Sequence, residues 1–303
     1  MTVDIRELLK AGAHFGHQKQ KWNPKMAPYI FTERNGVHII NLQKSVELID
    51  VAAKFLHNIG LNGESLLLVG TKRQAQEVVK IAAEKAEVPY VNYRWLGGML
   101  TNFQTINESI KRLKKYEEML SDEKRYQYTK KELITIAKDK MKLEKNLSGI
   151  VRMSKVPSAV FIVDPMREHL AVHEATKLGI PIVAIIDTNG NPDLIDFPIP
   201  ANDDGMRAID IIINGLMEAY LEGRDLHRQK AHTDDKDRRD RSTGRGDETR
   251  SVAGRKVKVK RISGGEEGES KPEGSAKPVR RSAPAKKDEA PAAAEEKKVE
   301  KKD

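Results

Sequence analysis

His14 and His17 stand three positions apart, which on a helix puts them on one face where they could share a metal ion, although such pairs more often serve structure. The run Asp187-Thr188-Asn189-Gly190-Asn191-Pro192-Asp193 imitates the opening of a calcium loop. Its glycine is in the fourth place rather than the sixth and Pro198 stands in the twelfth, so it is not an EF-hand. Asp187 closes an apolar run, and Asp203 and Asp204 follow the next one. With His17 or Asn23, these carboxylates could hold a hard or borderline divalent cation. The plainer expectation is that Asp203 and Asp204 cap a helix starting at Gly205, where the dipole favours negative charge. No Ser-His-Asp, Cys-His or paired-acid arrangement emerges.

A second chemistry is concentrated in residues 12–31, GAHFGHQKQKWNPKMAPYIF. Lys19, Lys21 and Lys25, followed by Arg34, alternate with His14, Phe15, His17, Trp22, Asn23 and Tyr29. Cations neutralise phosphates, while planar groups stack on unpaired bases. Pro24 and Pro28 oppose a helix, so the expectation is a long binding loop. Phe15 and Trp22 could instead pin it to a core. Arg94 and Trp95 repeat the pairing of cation and ring. Val69-Gly70-Thr71-Lys72-Arg73 reads as strand, turn and helix, but it lacks the glycines of either phosphate-binding fingerprint. In Leu96-Gly97-Gly98-Met99-Leu100-Thr101-Asn102, the adjacent glycines permit close backbone approach, useful against RNA, and no nucleophile–base pair accompanies them.

The elements that carry these residues follow from hydrophobic patterning. Continuous apolar runs at 65–71, 89–93, 157–164 and 180–187 read as buried parallel strands, and Val37-His38-Ile39-Ile40-Asn41 reads as a fifth. Helical patterns at 42–59, 72–86, 167–179 and 205–224 alternate with them. Repeating βα units with right-handed crossovers predict a doubly wound α/β sandwich around a parallel five-stranded sheet.

The crossover between the runs at 89–93 and 157–164 is far longer than one helix needs. Phe103, Ile106, Ile110, Leu113 and Leu120 form one seam, and Leu133, Ile136, Leu143, Leu147 and Ile150 form another. Thr101-x-x-Gln104 and Thr129-x-x-Glu132 resemble capping boxes. An antiparallel coiled-coil hairpin is expected over 101–150, with a basic outer face, inserted between 1–100 and 151–224.

The formal charge of +9 is unevenly distributed, with Lys and Arg in excess over residues 1–155 and acids in excess over 156–224. A two-signed field favours oriented docking between unlike surfaces, with a polyanion on the basic side. The absence of cysteine excludes disulfide scaffolds, thiolate metal sites and thiol catalysis, and fits a reducing compartment. No apolar run approaches the ~18 residues of a membrane span, and the first residues lack a signal-peptide layout, so a cytoplasmic location is expected. Residues 225–303 contain no Phe, Trp or Tyr and are rich in charge, Gly, Ser, Ala and Pro, which predicts a disordered charged tail.

The blocks FGHQ-x-x-x-WNPKM, NGVHIINL, VGTKRQAQ, RWLGGMLTNF and VAIIDTNGNPD with PIPANDD, in this order, resemble the bacterial small-ribosomal-subunit protein of the S-two family over residues 3–224. The resemblance implies a flavodoxin-like sheet with a coiled-coil insertion, no enzymatic activity, no required cofactor and no small-molecule substrate. It implies a ribosome-bound protein at the neck between head and body of the small subunit, away from any membrane. Its partners there are small-subunit rRNA and neighbouring ribosomal proteins, including the S-one protein that it helps to recruit. Carried over by block, RNA contact falls to Lys19, Lys21, Trp22, Asn23, Lys25, Arg34, Lys72, Arg73 and Arg94, and to Lys111, Arg112, Lys114 and Lys115 of the insertion. Residues 225–303 have no counterpart in the resemblance.

Overall fold

Three apolar runs are buried at every position, and that fact organises the chain. In the computed structural model, which describes residues 3–121 and 125–247, these are β4 (Leu66–Val69), β6 (Ala159–Val163) and β7 (Ile182–Ile186). A strand flanked by neighbours and covered on both faces can carry no polar side chain, hence the unbroken Leu, Val and Ile. The elements run α1 (Ile5–Lys10), β1 (Phe15–Gln18), β2 (Ile30–Arg34), β3 (Val37–Ile40), α2 (Leu42–Leu61), β4, α3 (Gln76–Ala86), β5 (Tyr90–Val91), α4 (Phe103–Leu120), α5 (Lys130–Leu147), β6, α6 (His169–Leu178), β7, β8 (Phe197–Pro200) and α7 (Met206–Asp247).

The main sheet is wholly parallel in the order β5-β4-β6-β7-β8, with Leu66 opposite Ala159, Val160 opposite Ile182 and Val183 opposite Phe197. That is the 2-1-3-4-5 order of flavodoxin-like folds. Successive side chains go to opposite faces. Leu66, Leu68, Phe161 and Val183 meet α2, α3 and α7, whereas Leu67, Val69, Ile162 and Ala184 meet α6 and the base of α4. Each large side chain buried completely, as Phe161 is, contributes about 1.5–3 kcal/mol of burial free energy.

The strand expected at Val37 is present but belongs elsewhere. β3 pairs antiparallel with β1 and β2 in a separate three-stranded sheet, order β1-β3-β2. Between β2 and β3, Asn35 and Gly36 both have positive φ, 53° and 76°, as a two-residue hairpin turn requires. The fifth parallel strand is β8. Its prolines 198 and 200 are tolerated because an edge strand needs no N–H on its free side. Residues 12–31 are likewise not one long loop. They form β1, 3-10 turns at Lys19–Lys21 and Pro24–Tyr29, and the start of β2, with Met26 wholly buried as anchor.

Between β5 and β6, α4 and α5 lie against each other, and Lys140 Nζ of one is 3.7 Å from Glu117 Oε1 of the other. Thr129 and Glu132 form a reciprocal capping box at the start of α5. No such box starts α4. Asn102 is its N-cap, its side chain accepting from the Thr105 hydroxyl at 3.0 Å rather than from a backbone N–H, and Thr101 is engaged elsewhere.

The last helix passes the expected end near Arg224 and continues to Asp247. Arg224 donates to the carbonyl of Ala86, His227 Nδ1 lies 2.9 Å from the carbonyl oxygen of Leu61, and Arg228 bonds Glu87 Oε2 at 3.2 Å. These anchors carry helical order into a segment whose composition gives no apolar face. The expected tail beyond residue 247 lies outside the described residues.

Candidate functional site

The carboxyl ends of the parallel strands form the crevice where doubly wound proteins bind ligands. β4 ends in Gly70-Thr71-Lys72, β6 in Asp164, β7 in Asp187-Thr188, and the chain after β8 brings Asp203 and Asp204 to the same edge. Lys72 enters the middle of this acidic group. Its Nζ is 2.6 Å from Asp203 Oδ1, 2.7 Å from Asp204 Oδ1 and 3.7 Å from Asp164 Oδ2. From β1, His17 closes the group, with Nδ1 2.9 Å from Asp187 Oδ2 and Nε2 3.8 Å from Asp204 Oδ2.

Burial and the neighbouring Asp187 and Asp164 push the Asp203 carboxyl up to about 7, against the opposing pull of Lys72. The hydrogen bond and negative charge of Asp187, with Asp203 and Asp204, raise His17 despite its partial burial. Burial is the largest influence on Lys72 and would lower it, but its bonds to Asp203 and Asp204 outweigh that and raise it.

This edge is unsuited to a nucleotide. Four carboxylates repel phosphate, and the first two backbone N–H groups of the turn after β4 are already committed. Gly70 N–H donates to the carbonyl of Val91, and Thr71 N–H donates to Glu168 Oε1 at 3.0 Å. Close approach of β1 to the edge depends on Gly16, since a Cβ there would stand 2.6 Å from Thr188 Cγ2. Two backbone donors complete the seam, His17 N–H to Thr188 Oγ1 at 2.9 Å and Asn23 N–H to the Thr188 carbonyl at 2.8 Å.

The structure therefore divides the residues picked out in the sequence. Lys72 is not an exposed cation, since its ammonium is enclosed by three carboxylates and its side chain is only 11% exposed. His17, Asp187 and Asp203 come together, with Asp204 at the rim. Asn23 does not join them through its side chain, whose oxygen caps the turn at Pro24 by accepting from Lys25 N–H. Lys19 pairs with Glu33 at 2.7 Å, and Lys25 pairs with Asp193. Lys21, Arg34, Arg73, Arg94, Lys111, Arg112, Lys114 and Lys115 are exposed. Trp22 is half-buried, its ring 5.0 Å from that of His38. Trp95 is buried, so the Arg94–Trp95 pair offers only its cation outward.

Two features escaped the sequence reading. Phe31 is 73% exposed on the antiparallel sheet, an open ring close in sequence to Arg34, and Phe15, already read as a ring of the basic segment, is 50% exposed. The signal was there, since a β-hairpin with an Asn-Gly turn alternates its faces. The second is Glu174 on α6. Its buried carboxylate accepts from Trp95 Nε1 (3.0 Å), Gly98 N (2.8 Å), Leu100 N (3.0 Å), Thr101 N (3.0 Å) and Thr101 Oγ1 (3.1 Å). The Gly97-Gly98 loop thus wraps an internal anion rather than meeting RNA by its own backbone. A lone glutamate in a helix carries no sequence signal for that role.

These features define a class: a flavodoxin-like sandwich whose ligand crevice is closed by an internal ion network, with exposed cations and rings displayed on appended elements. Residues 8–223 match the family described as ribosomal protein S2, and the chain belongs to that family of structural, non-enzymatic ribosomal components. It is 51% identical over 233 residues to the small ribosomal subunit protein uS2 of Geotalea uraniireducens, covering 77% of this chain and 91% of that protein. Against the uS2 proteins of Corynebacterium diphtheriae and Corynebacterium efficiens it is 49% identical over 231 and 230 residues, covering 87% and 83% of those chains. Among the described residues, no helix is long and apolar enough to cross a membrane.

Proposed function

We propose that the chain is a ribosome-bound component of the small subunit that binds rRNA through two basic surfaces and does no chemistry. One surface is the outer face of α4 and the other is the antiparallel sheet of residues 15–40. In this reading residues 1–100 and 151–224 are one sandwich and 101–150 an inserted coiled-coil arm. The acidic face of residues 156–224 meets neighbouring ribosomal proteins, the S-one protein among them, at the neck between head and body.

The observation that carries the RNA reading lies on α4. Lys111, Arg112, Lys114 and Lys115 are exposed while the neighbouring Ile110 and Leu113 are buried. Lys111 and Lys115 are four apart, and Arg112 and Lys115 three apart, so these like charges repel on a free helix surface. Neutralisation by phosphates removes that repulsion, and counterion release supplies affinity that falls steeply with salt. The test is sedimentation of the tagged protein with small subunits, with and without nuclease, followed by salt titration of binding to rRNA. Comigration abolished by nuclease and affinity falling steeply between ~50 and ~200 mM salt is the expected result. Nuclease-resistant comigration, or salt-insensitive binding, would contradict it.

A further inference from the structure

We infer that the outer end of the pair formed by α4 and α5 is a pocket for an unpaired base of folded RNA, held against the rings of Tyr116 and Tyr128. The inference rests on the reading of this pair as an RNA-binding arm. Tyr116 and Met119 near the end of α4, Tyr128 just before α5 and Ile136 within it line a shallow cavity of 430 Å³, with Lys131 and Glu132 also on its wall. That volume falls in the range of small-molecule sites, roughly 300–1,000 Å³.

The cavity exists because the seam between the two helices closes at one end only. Ile106, Ile110 and Leu147 belong to the core on the α6 side of the sheet, and Leu113 is the last buried residue of α4. Beyond it, continuing the 3-4 spacing, come Tyr116 and Leu120. Both are only half-buried, as are Leu133 and Ile136 on α5. Aliphatic knobs would close such a seam by interdigitating. Flat rings in their place leave a slot, and the slot presents apolar surface to water without a cover.

Charge and ring chemistry select the occupant. Three of the chain's seven tyrosines, Tyr116, Tyr126 and Tyr128, lie at this end, and Tyr126 is 92% exposed. Lys114 and Lys115 precede the first ring, Lys130 and Lys131 follow the last, and all four are exposed. Rings interleaved with cations suit single-stranded nucleic acid, since the rings stack on bases while the ammonium groups meet phosphates. The carboxylate on the wall is spent on structure, because Glu132 accepts from the Thr129 N–H and hydroxyl at 2.9 Å each. A duplex keeps its bases stacked on one another and offers this slot no flat face, so the occupant is a base turned out of a loop or bulge. An acidic partner helix would satisfy the cations but calls for aliphatic holes rather than ring faces.

The test uses the full-length chain with purified small-subunit rRNA as the probe. Tyr116→Leu combined with Tyr128→Leu returns aliphatic side chains to the seam, so the melting temperature should not fall, and a pocket that is merely helix packing predicts unchanged RNA affinity. Stacking predicts affinity weakened by about five- to a hundredfold, with the log–log salt slope unaltered because no counterion is involved. Tyr116→Phe with Tyr128→Phe should restore it. Ultraviolet cross-linking of the parent complex, read by mass spectrometry, should join a nucleotide to one of Tyr116, Tyr126 and Tyr128. Base-directed chemical probing should find an unpaired rRNA base that the parent protects and the Leu-substituted chain does not. If the parent binds rRNA and the Leu-substituted chain binds as tightly, this inference alone is overturned. If the parent binds no rRNA, the reading beneath it fails as well. Cross-links in intact small subunits that run from these tyrosines to a protein and not to RNA also overturn it, in favour of a partner helix. If the Leu-substituted chain fails to fold, the lack of any nucleotide adduct on the three tyrosines of the parent decides against it.

Discussion

Trp95 Nε1 donates to Glu174 Oε1 across 3.0 Å, joining residues 79 positions apart in the chain. The same carboxylate gathers three backbone N–H groups of residues 98–101 and the Thr101 hydroxyl. Those residues lead directly into α4. One side chain on α6 therefore fixes the point where the helical pair leaves the sandwich, and with it the direction in which Lys111, Arg112, Lys114 and Lys115 are presented.

Replacing that carboxylate should loosen the base of the pair. Glu174→Ala leaves buried donors unsatisfied and should cost about 3 kcal/mol or more in denaturant unfolding, with faster amide exchange at Gly98, Leu100 and Thr101. The acid limb of stability provides a second readout. Burial alone would raise this carboxyl, but its donors outweigh burial and hold it below the ordinary glutamate range. Stability from such a group is complete above the unfolded-state glutamate pKa and is lost as pH falls through the lower folded value. Glu174→Gln should flatten that part of the pH profile. An unchanged acid limb would show that the carboxylate's charge does not matter here.

Lys72 makes the opposite case, a cation that structure removes from the RNA-facing set. Lys72→Met should destabilise the chain by about 3–5 kcal/mol, because Asp203 is left as an uncompensated buried acid. Its effect on the salt dependence of RNA binding should be nil. A salt slope reduced by about one for this variant would return Lys72 to the RNA contacts.

Much of this was legible before folding, and the failures have physical causes. β4, β6 and β7 announce themselves because burial on both faces forbids polar side chains. β3 was placed in the wrong sheet because an apolar run followed by a helix looks the same whether its neighbours are parallel or antiparallel. The Asn35-Gly36 turn was the better evidence. β8 was obscured by Pro198 and Pro200, which only the edge position excuses. His17, Asp187 and Asp203 were readable as a group because the acids sit at or just beyond strand ends, and doubly wound topology collects those ends on one edge. Glu174 and Lys72 were not readable in their actual roles. A charged residue has the same letter whether it faces solvent or is bonded across the fold, and only the tertiary partner, 73 to 131 residues away, decides.

The crossing of α2 and α7 should tolerate no added carbon. A Cβ on Gly223 would stand 2.1 Å from the carbonyl oxygen of His57, and one on Gly60 would stand 2.3 Å from that of Tyr220. Both obstacles are helix backbone, which cannot swing aside. Gly223→Ala should therefore cost about 3 kcal/mol from overpacking, although alanine favours helix by nearly 1 kcal/mol over glycine. A variant as stable as the parent in thermal unfolding would mean that the two helices separate freely.

Cations and rings should be separable in the RNA interface. Removing one phosphate-neutralising side chain reduces the log–log salt slope by about one, so alanine at Lys111, Arg112, Lys114 and Lys115 together should lower it by up to about four. A ring stacked on a base releases no counterion. Phe31→Ala removes a ring that is 73% exposed, so folding stability should change little. Binding should weaken by about 1–3 kcal/mol if a base stacks on it, with the salt slope unaltered. Fluorescence titrations of rRNA fragments at several salt concentrations distinguish the two. If the fourfold variant keeps the full slope, α4 does not face phosphates, and if Phe31→Ala binds as the parent does, the antiparallel sheet meets RNA through its cations alone.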